Sequence, residues 1–268
     1  MRGCRDVKRH PFTALSVPSL YVWREEYGFT LWGDGETYLI RSRHDGGYYC
    51  PVGREETCRM LIAQLRESGE KLLYLTQEQA EELTREGWTA RRRDDLSEYL
   101  VSVAAEALRE GHVSKSFREK CHRFKRQYRY TTRPIGPAEL PILYRMLDAL
   151  PNDPREKDMQ DLSVLRTELD DFAVLGMRGL LMETAEGEYA FVLGYEDTPE
   201  SFTVSMGKHT SGLPTETSTV IVHELAQMLD GEYKLFNLEE DLGLEGLRNA
   251  KALYSPVGRL EVYEATPL

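Results

Sequence analysis

Long apolar runs are missing from this 268-residue chain. No stretch approaches the roughly 18 consecutive apolar residues of a membrane-spanning helix, so none is expected. Met1 to Leu20 carries basic residues without an apolar core, which argues against a secretory leader. Cysteine is scarce. The four present, Cys4, Cys50, Cys58 and Cys121, fall at irregular spacings with no Cys-x-x-Cys, which suggests neither a disulfide framework nor a zinc site. Reduced thiols in the cytoplasm are the simplest expectation. Glycine fingerprints are absent too: Gly176 and Gly179 do not make a dinucleotide-binding turn. Positive charge is in deficit, with 34 Lys and Arg against 45 Asp and Glu, and a net −11 speaks against general coating of nucleic acid.

What is present describes a globular protein. The 41% hydrophobic and 29% charged fractions are ordinary, and the length is comfortable for two domains. The charge is unevenly spread. Between Arg109 and Arg133 lie nine Lys and Arg residues (Arg109, Lys115, Arg118, Lys120, Arg123, Lys125, Arg126, Arg129, Arg133) against Glu110 and Glu119. That segment suits a localised anion; a solvated helix face explains it equally well.

Strand and helix signals alternate. Tyr27 to Trp32, Thr37 to Arg43 and Tyr48 to Val52 are β-rich runs separated by Gly33-Asp-Gly35 and Asp45-Gly-Gly47, which supply the positive φ of tight hairpins. A helix is expected over 55–67, a strand over 71–75, and a second helix capped by Thr76 with Gln79. Trp88 to Arg93 reads as a strand and Ser97 to Arg109 as a helix. The second part opens with helices over 116–127 and 137–150, separated by a strand at 128–133. After a Pro- and charge-rich loop (151–158) comes a further helix ending near Val174. A hairpin follows (179–184 and 188–195, turned at Glu186-Gly187), then a strand at 201–208, an apolar helix over 215–229, a buried strand at 233–236 and a helix over 244–254. A last strand is expected at 259–263. Helices, an antiparallel meander, then a helix and a returning strand thus occur twice. The fold class is mixed α/β, with domains at 1–110 and 111–268.

The densest motif is Asn237-Leu-Glu-Glu-Asp-Leu-Gly-Leu-Glu-Gly-Leu-Arg248, continuing through Lys251, Tyr254 and Pro256. It leaves a buried strand and enters a helix, where α/β sheets place their sites. Arg248, Lys251 and Tyr254 share one helix face. One reading is a carboxylate cluster facing a basic clamp, with an acid accepting a proton while cations hold an oxyanion or phosphate. The plainer reading has Asn237 and Glu240 as a capping pair and Asp241 in a salt bridge with Arg248. His223-Glu-Leu-Ala-Gln227 begins like a zinc-protease helix but lacks the second histidine, and His223 is expected to be a packing residue.

The pattern Asn-x-Glu-Glu-Asp-x-Gly-x-x-Gly-Leu-Arg-x-Ala-Lys-x-x-Tyr-x-Pro resembles the C-terminal signature of the phosphatidylglycerol lysyltransferase C-terminal-domain family, whose relatives include Fem-type peptidyltransferases. Weaker matches extend over most of the chain: Leu20 to Tyr27, Tyr49 to Gly53, Gly111 to Phe124, and Ala190-Phe191 with Gly194. The resemblance implies two tandem acyl-CoA N-acyltransferase-like (GNAT) domains and aminoacyl transfer from a charged tRNA to an amine or hydroxyl acceptor. In that scheme Lys208, Glu240 and Asp241 are the catalytic candidates. Lys208 serves an oxyanion or phosphate, and the two acids serve as base or amino-group anchor. Asn237, Arg248, Lys251, Tyr254, Arg118 and Arg123 are the substrate-binding candidates. Charged tRNA is expected at the basic 109–133 segment, and the acceptor is a small molecule, a peptide or a lipid headgroup. No metal or organic cofactor is expected; aminoacyl-tRNA or acyl-CoA is the co-substrate. The family's usual Lys-Arg-Asn is here Phe117-Arg118-Glu119, and its Glu-Lys-Ala is Gly207-Lys208-His209. Two alternatives therefore stand beside aminoacyl transfer: an acetyl-CoA-dependent N-acetyltransferase, and a GNAT-fold binding module that has lost its chemistry.

Overall fold

The structure is a computed structural model, described over residues 11–150 and 160–268; the expected 151–158 loop lies outside the described residues. The chain forms two compact units, one of residues up to Glu98 together with Leu260–Leu268, the other of Tyr99–Arg259.

In the first unit, helices α1 (Val17–Val22) and α2 (Arg24–Tyr27) precede an antiparallel meander of β1 (Thr30–Gly33), β2 (Tyr38–Ser42) and β3 (Gly47–Tyr49). Helix α3 (Glu55–Glu67) follows, and β4 (Leu72–Leu75) returns parallel to β3. Helix α4 (Gln77–Arg85) begins at the expected capping box: the Gln79 N–H donates to Thr76 Oγ1 at 3.2 Å, and the Thr76 N–H donates to Gln79 Oε1 at 2.9 Å. Strands β5 (Trp88–Ser102) and β11 (Gly258–Pro267) complete the order β1-β2-β3-β4-β11-β5. Leu39, Leu65, Leu72, Leu75, Leu83, Trp88 and Ala265 are buried between this sheet and its helices.

The sequence expectation differs here. The helix expected over 97–109 is the second half of β5, followed only by the four-residue helix α5 (Val103–Glu106). The strand expected over Trp88–Arg93 stands as the first half of β5, where ion pairs satisfy its charges: Arg92 with Asp94 and Glu261, Arg93 with Asp95 and Glu264. The division accordingly falls inside β5 instead of near residue 110. Residues 260–268 join the first unit because β11 is hydrogen-bonded beside β4, a pairing that local patterning does not encode.

The second unit repeats the element order. Helix α6 (Lys115–Gln127) leads to β6 (Tyr130–Pro134), then helices α7 (Leu140–Ala149) and α8 (Gln160–Asp170). Strands β7 (Met177–Thr184), β8 (Tyr189–Thr198) and β9 (Ser201–His209) pair antiparallel in sequence with β6. Helix α9 (Thr217–Leu229) then carries the chain to β10 (Leu235–Asn237), which runs parallel to β9 and antiparallel to β5. Helix α10 (Glu245–Ala252) closes the series. Two apolar layers cover the sheet. Phe117, Cys121, Phe124, Val220, Leu225 and Phe236 are buried on one face, and Leu143, Leu147, Leu165, Leu169, Phe191 and Leu193 on the other. Gly194 permits the closest approach: a Cβ there would strike the Thr203 carbonyl oxygen and the Phe202 ring.

Candidate functional site

The site begins where two parallel strands part. Strand β10 pairs with Ser201, Phe202 and Thr203 of β9 and then ends, while β9 continues to His209. A register shift between Leu193 and Gly194 leaves Ser205 as the extra residue of a β-bulge. Beyond it Val204 to His209, Ser218, Ile221 and Val222 of α9, and Tyr254 enclose a cavity of about 170 Å³ over Ala190 and Val192. Lys208, whose side chain is 13% exposed, lies 3.9 Å from Asp161 on α8. Tyr254 is buried edge-on to Phe117, with ring centres 5.6 Å apart, and burial pushes its phenol upward so that it stays neutral.

The motif after β10 forms a second constellation. Asp241 is fully buried, and four donors converge on it: Tyr99 Oη at 2.5 Å, Arg248 Nε at 3.0 Å and Nη2 at 3.2 Å, and the Gly243 N–H at 2.8 Å. Burial opposes its charge, but the hydrogen bonds from Arg248, Tyr99 and Gly243 prevail and hold the carboxyl down at about 2. Lys251 Nζ donates to the Glu240 carbonyl, and Lys251 and Arg259 lie over the Tyr99 ring at 5.9 and 4.5 Å. Asn237 Oδ1 accepts the Glu239 N–H at 2.8 Å. Glu239, Leu242 and Ser255 all have φ between 50° and 60°, a conformation costing about 1–3 kcal/mol for a residue with a side chain. The buried network holds the loop in that strained path.

Several expectations change on this geometry. Asp241 was a candidate base, yet a carboxylate held near 2 with both oxygens accepting is poorly placed to take a proton at neutral pH. Its geometry is that of an anchor, as the salt-bridge reading had it. Asn237 caps Glu239 and not Glu240. Glu240 is half-buried, and its carbonyl serves Lys251. Tyr254 faces the cavity, Lys208 turns its side chain to Asp161 on the opposite sheet face, and Asn237, Asp241, Arg248 and Lys251 build the loop beside the cavity. Arg118 and Arg123 lie on α6, outside both groups.

The basic segment is partly neutralised. Arg109 pairs with Asp230, Lys115 with Glu119, Arg123 with Glu216 at 3.0 Å, Lys125 with Glu224 at 2.9 Å, and Arg133 with Glu183. Among the described residues Arg118, Lys120, Arg126 and Arg129 make no ion pair; Arg118, His122 and Arg126 follow one another at i, i+4, i+8 along the exposed side of α6. His223 is buried, as expected of a packing residue. Its Nδ1 contacts the Glu106 carbonyl at 2.7 Å and its Nε2 the Lys125 Nζ at 3.1 Å.

Sequence reading missed Tyr99 and Arg259. Tyr99 stands 142 residues from the carboxylate it serves, and no local pattern announces such a partner. It also missed Glu106 and Glu168, whose buried carboxyls are pushed up to about 8 by desolvation.

The fold matches known proteins. A protein of unknown function from Bacteroides thetaiotaomicron superposes with a TM-score of 0.82 at 25% identity, covering 98% of this chain and 93% of its own. The L-PGS structure from Bacillus licheniformis gives 0.62 at 16% identity (94% and 92% covered), and FemX gives 0.64 at 9% (97% and 93% covered). No curated protein matches the sequence. Among the described residues no helix is long and apolar enough to cross a membrane. The family described as phosphatidylglycerol lysyltransferase, C-terminal, matches residues 8–266, nearly the whole chain, and the chain belongs to that family.

Proposed function

We propose that this protein transfers an aminoacyl group from a charged tRNA to an amine or hydroxyl acceptor, at the cavity bounded by β9, α9 and Tyr254. The acceptor's lone pair forms the new bond to the acyl carbon, the ester bond to the terminal ribose breaks, and the acceptor's proton ends on the ribose hydroxyl. Because the ester is already activated, the protein's share is positioning and charge stabilisation. Tyr254 supplies a neutral hydroxyl at the cavity, and the Asp241–Arg248–Tyr99 network fixes the loop that carries Tyr254; the Lys208 side chain turns to Asp161 on the other face of the sheet. A tRNA donor places the reaction in the cytoplasm.

The observation that carries this reading is the cavity itself, opening where β9 outruns β10 beside α9 and Tyr254. Arg118, Arg126 and Arg129 offer unpaired charge to phosphates. Leu242, Leu244 and Leu247 are exposed beside the network, which favours an amphiphilic acceptor such as a lipid headgroup or peptide. The acetyl-CoA reading is less well supported. A pyrophosphate would need the turn before α9, but Pro214 has no N–H there, and the Glu188 carboxylate packs where a Cβ on Gly212 would point. The test is binding of total tRNA and of acetyl-CoA to the purified chain at about 50 and 200 mM salt. Salt-sensitive tRNA binding is expected; micromolar acetyl-CoA binding without tRNA binding would reassign the protein, and silence from both would favour the binding-module alternative.

A further inference from the structure

Helices α3 and α4 of the first unit border a groove that the proposed transfer does not use. Its volume is about 660 Å³, inside the range of about 300–1,000 Å³ usual for small-molecule sites. The floor is apolar: Cys50 and Pro51 after β3, Ile62 of α3, Leu83 of α4, and Trp88 at the start of β5.

Charged groups of both signs stand around that floor. Cys58, Ile62 and Arg66 recur every four residues along α3, so Arg66 shares the face turned to the groove. Its guanidinium lies against Gly87, where a Cβ would meet Nη2 at 2.6 Å, and so reaches from α3 to the turn after α4. Glu82 and Glu86 follow one another a turn apart on the other side. Burial, then the charges of Cys58 and Glu82, push the Cys50 thiol up to about 12, which places Glu82 beside the floor. Arg59 is committed to Glu55 on its own helix. Among the described residues Arg66, Glu82 and Glu86 make no ion pair, although all three line one space.

That arrangement selects by charge. Glu55, Glu67, Glu82 and Glu86 outnumber Arg59 and Arg66, so a ligand needs a positive end. A ligand with only a positive end would leave the Arg66 guanidinium unused and face its repulsion. A carboxylate close to the ammonium removes both objections, because a planar guanidinium takes a carboxylate through two parallel N–H donors. We infer that the groove binds a free α-amino acid with an apolar side chain, its carboxylate on Arg66, its ammonium at Glu82 and Glu86, and its side chain on the floor beside Leu83 and Trp88.

Phenylalanine, phenethylamine and 3-phenylpropionate carry the same ring with both charges, the ammonium alone and the carboxylate alone. Titrated into the full chain by calorimetry, phenylalanine is expected to bind at least about 10-fold more tightly than either half-ligand. Arg66→Met should remove its advantage over phenethylamine, and Glu82→Gln with Glu86→Gln its advantage over 3-phenylpropionate. The three side chains are exposed on their helices, so the variants are expected to fold, and an unchanged melting temperature checks it. Leucine and methionine, each with its matching amine and acid, repeat the series with a smaller side chain. Binding of an amine as tight as that of its amino acid would overturn the inference, as would no binding of any of the three amino acids up to about 10 mM. Neither result touches the transfer reading, whose cavity is lined by residues of the second unit.

Discussion

Replacing Asp241 by Asn separates an anchor from a catalyst. Both carboxylate oxygens face donors: Oδ2 receives Tyr99 and Arg248 Nε, and Oδ1 receives Arg248 Nη2 and Gly243. Either orientation of an asparagine amide therefore points its NH₂ at hydrogen-bond donors. Breaking a buried ion pair costs about 3–5 kcal/mol, but the Arg248 side chain is 51% exposed and recovers water, so about 2–3 kcal/mol is expected. The ionisation gives a similar magnitude. Lowering the carboxyl from 3.8 to about 2 corresponds to roughly 2 kcal/mol. Because the folded value is depressed, this stability is present above about pH 4 and is lost as pH falls through about 2. Urea unfolding of both chains at pH 7, 4 and 3 reads the difference directly, since other carboxylates titrate in both. The gap should be widest at pH 7 and narrow at pH 3. Identical unfolding midpoints at pH 7, together with loss of transfer, would refute the anchor role and return Asp241 to the chemistry.

Other expectations follow from single contacts. Lys208→Ala should leave transfer largely intact, because its side chain turns to Asp161 on α8 and away from the cavity; loss of transfer with an unchanged melting temperature would bring it into the chemistry. Neutralising Arg118, Arg126 and Arg129 together should reduce the salt slope of tRNA binding by about three, an unchanged slope placing the phosphates elsewhere. Gly194→Ala should cost about 3 kcal/mol or more in chemical denaturation, since its Cβ meets backbone, whereas Gly207→Ala should be nearly neutral. Glu106 is neutral in the fold with its carboxyl pushed up to about 8, so folding loses stability as pH rises from about 4.5 to 8. Glu106→Gln should then melt higher than wild type at pH 8, by about 2 kcal/mol or more, and equal it near pH 4.5.

Much of the framework was readable from local pattern. The Thr76–Gln79 box, the helix over 55–67 and the Gly187 turn each act over a few residues, and each stands where expected. The second half of β5 was not readable, because the strand that pairs with Leu100 to Ser102 is β10, far along the chain. The Asp241–Arg248 pair was legible at seven residues' separation; Tyr99 was not. The basic segment illustrates a different limit. Its charge was counted correctly, but Glu216, Glu224 and Asp230, which neutralise part of it, arrive from α9 and its C-terminal end. Composition counts charges without saying which of them face each other.

The position of β11 bears on how the protein is made. Its ten residues, Gly258–Pro267, lie between β4 and β5 in the sheet order. On the ribosome, that first unit waits with its central gap open and the edges of β4 and β5 unpaired until residues 260–268 emerge. The second unit, for which all strands have left the exit tunnel sooner, can settle earlier. On this topology the first unit is expected to complete its sheet after the second, and a chain stalled before residue 258 would expose the edges of β4 and β5 that β11 covers.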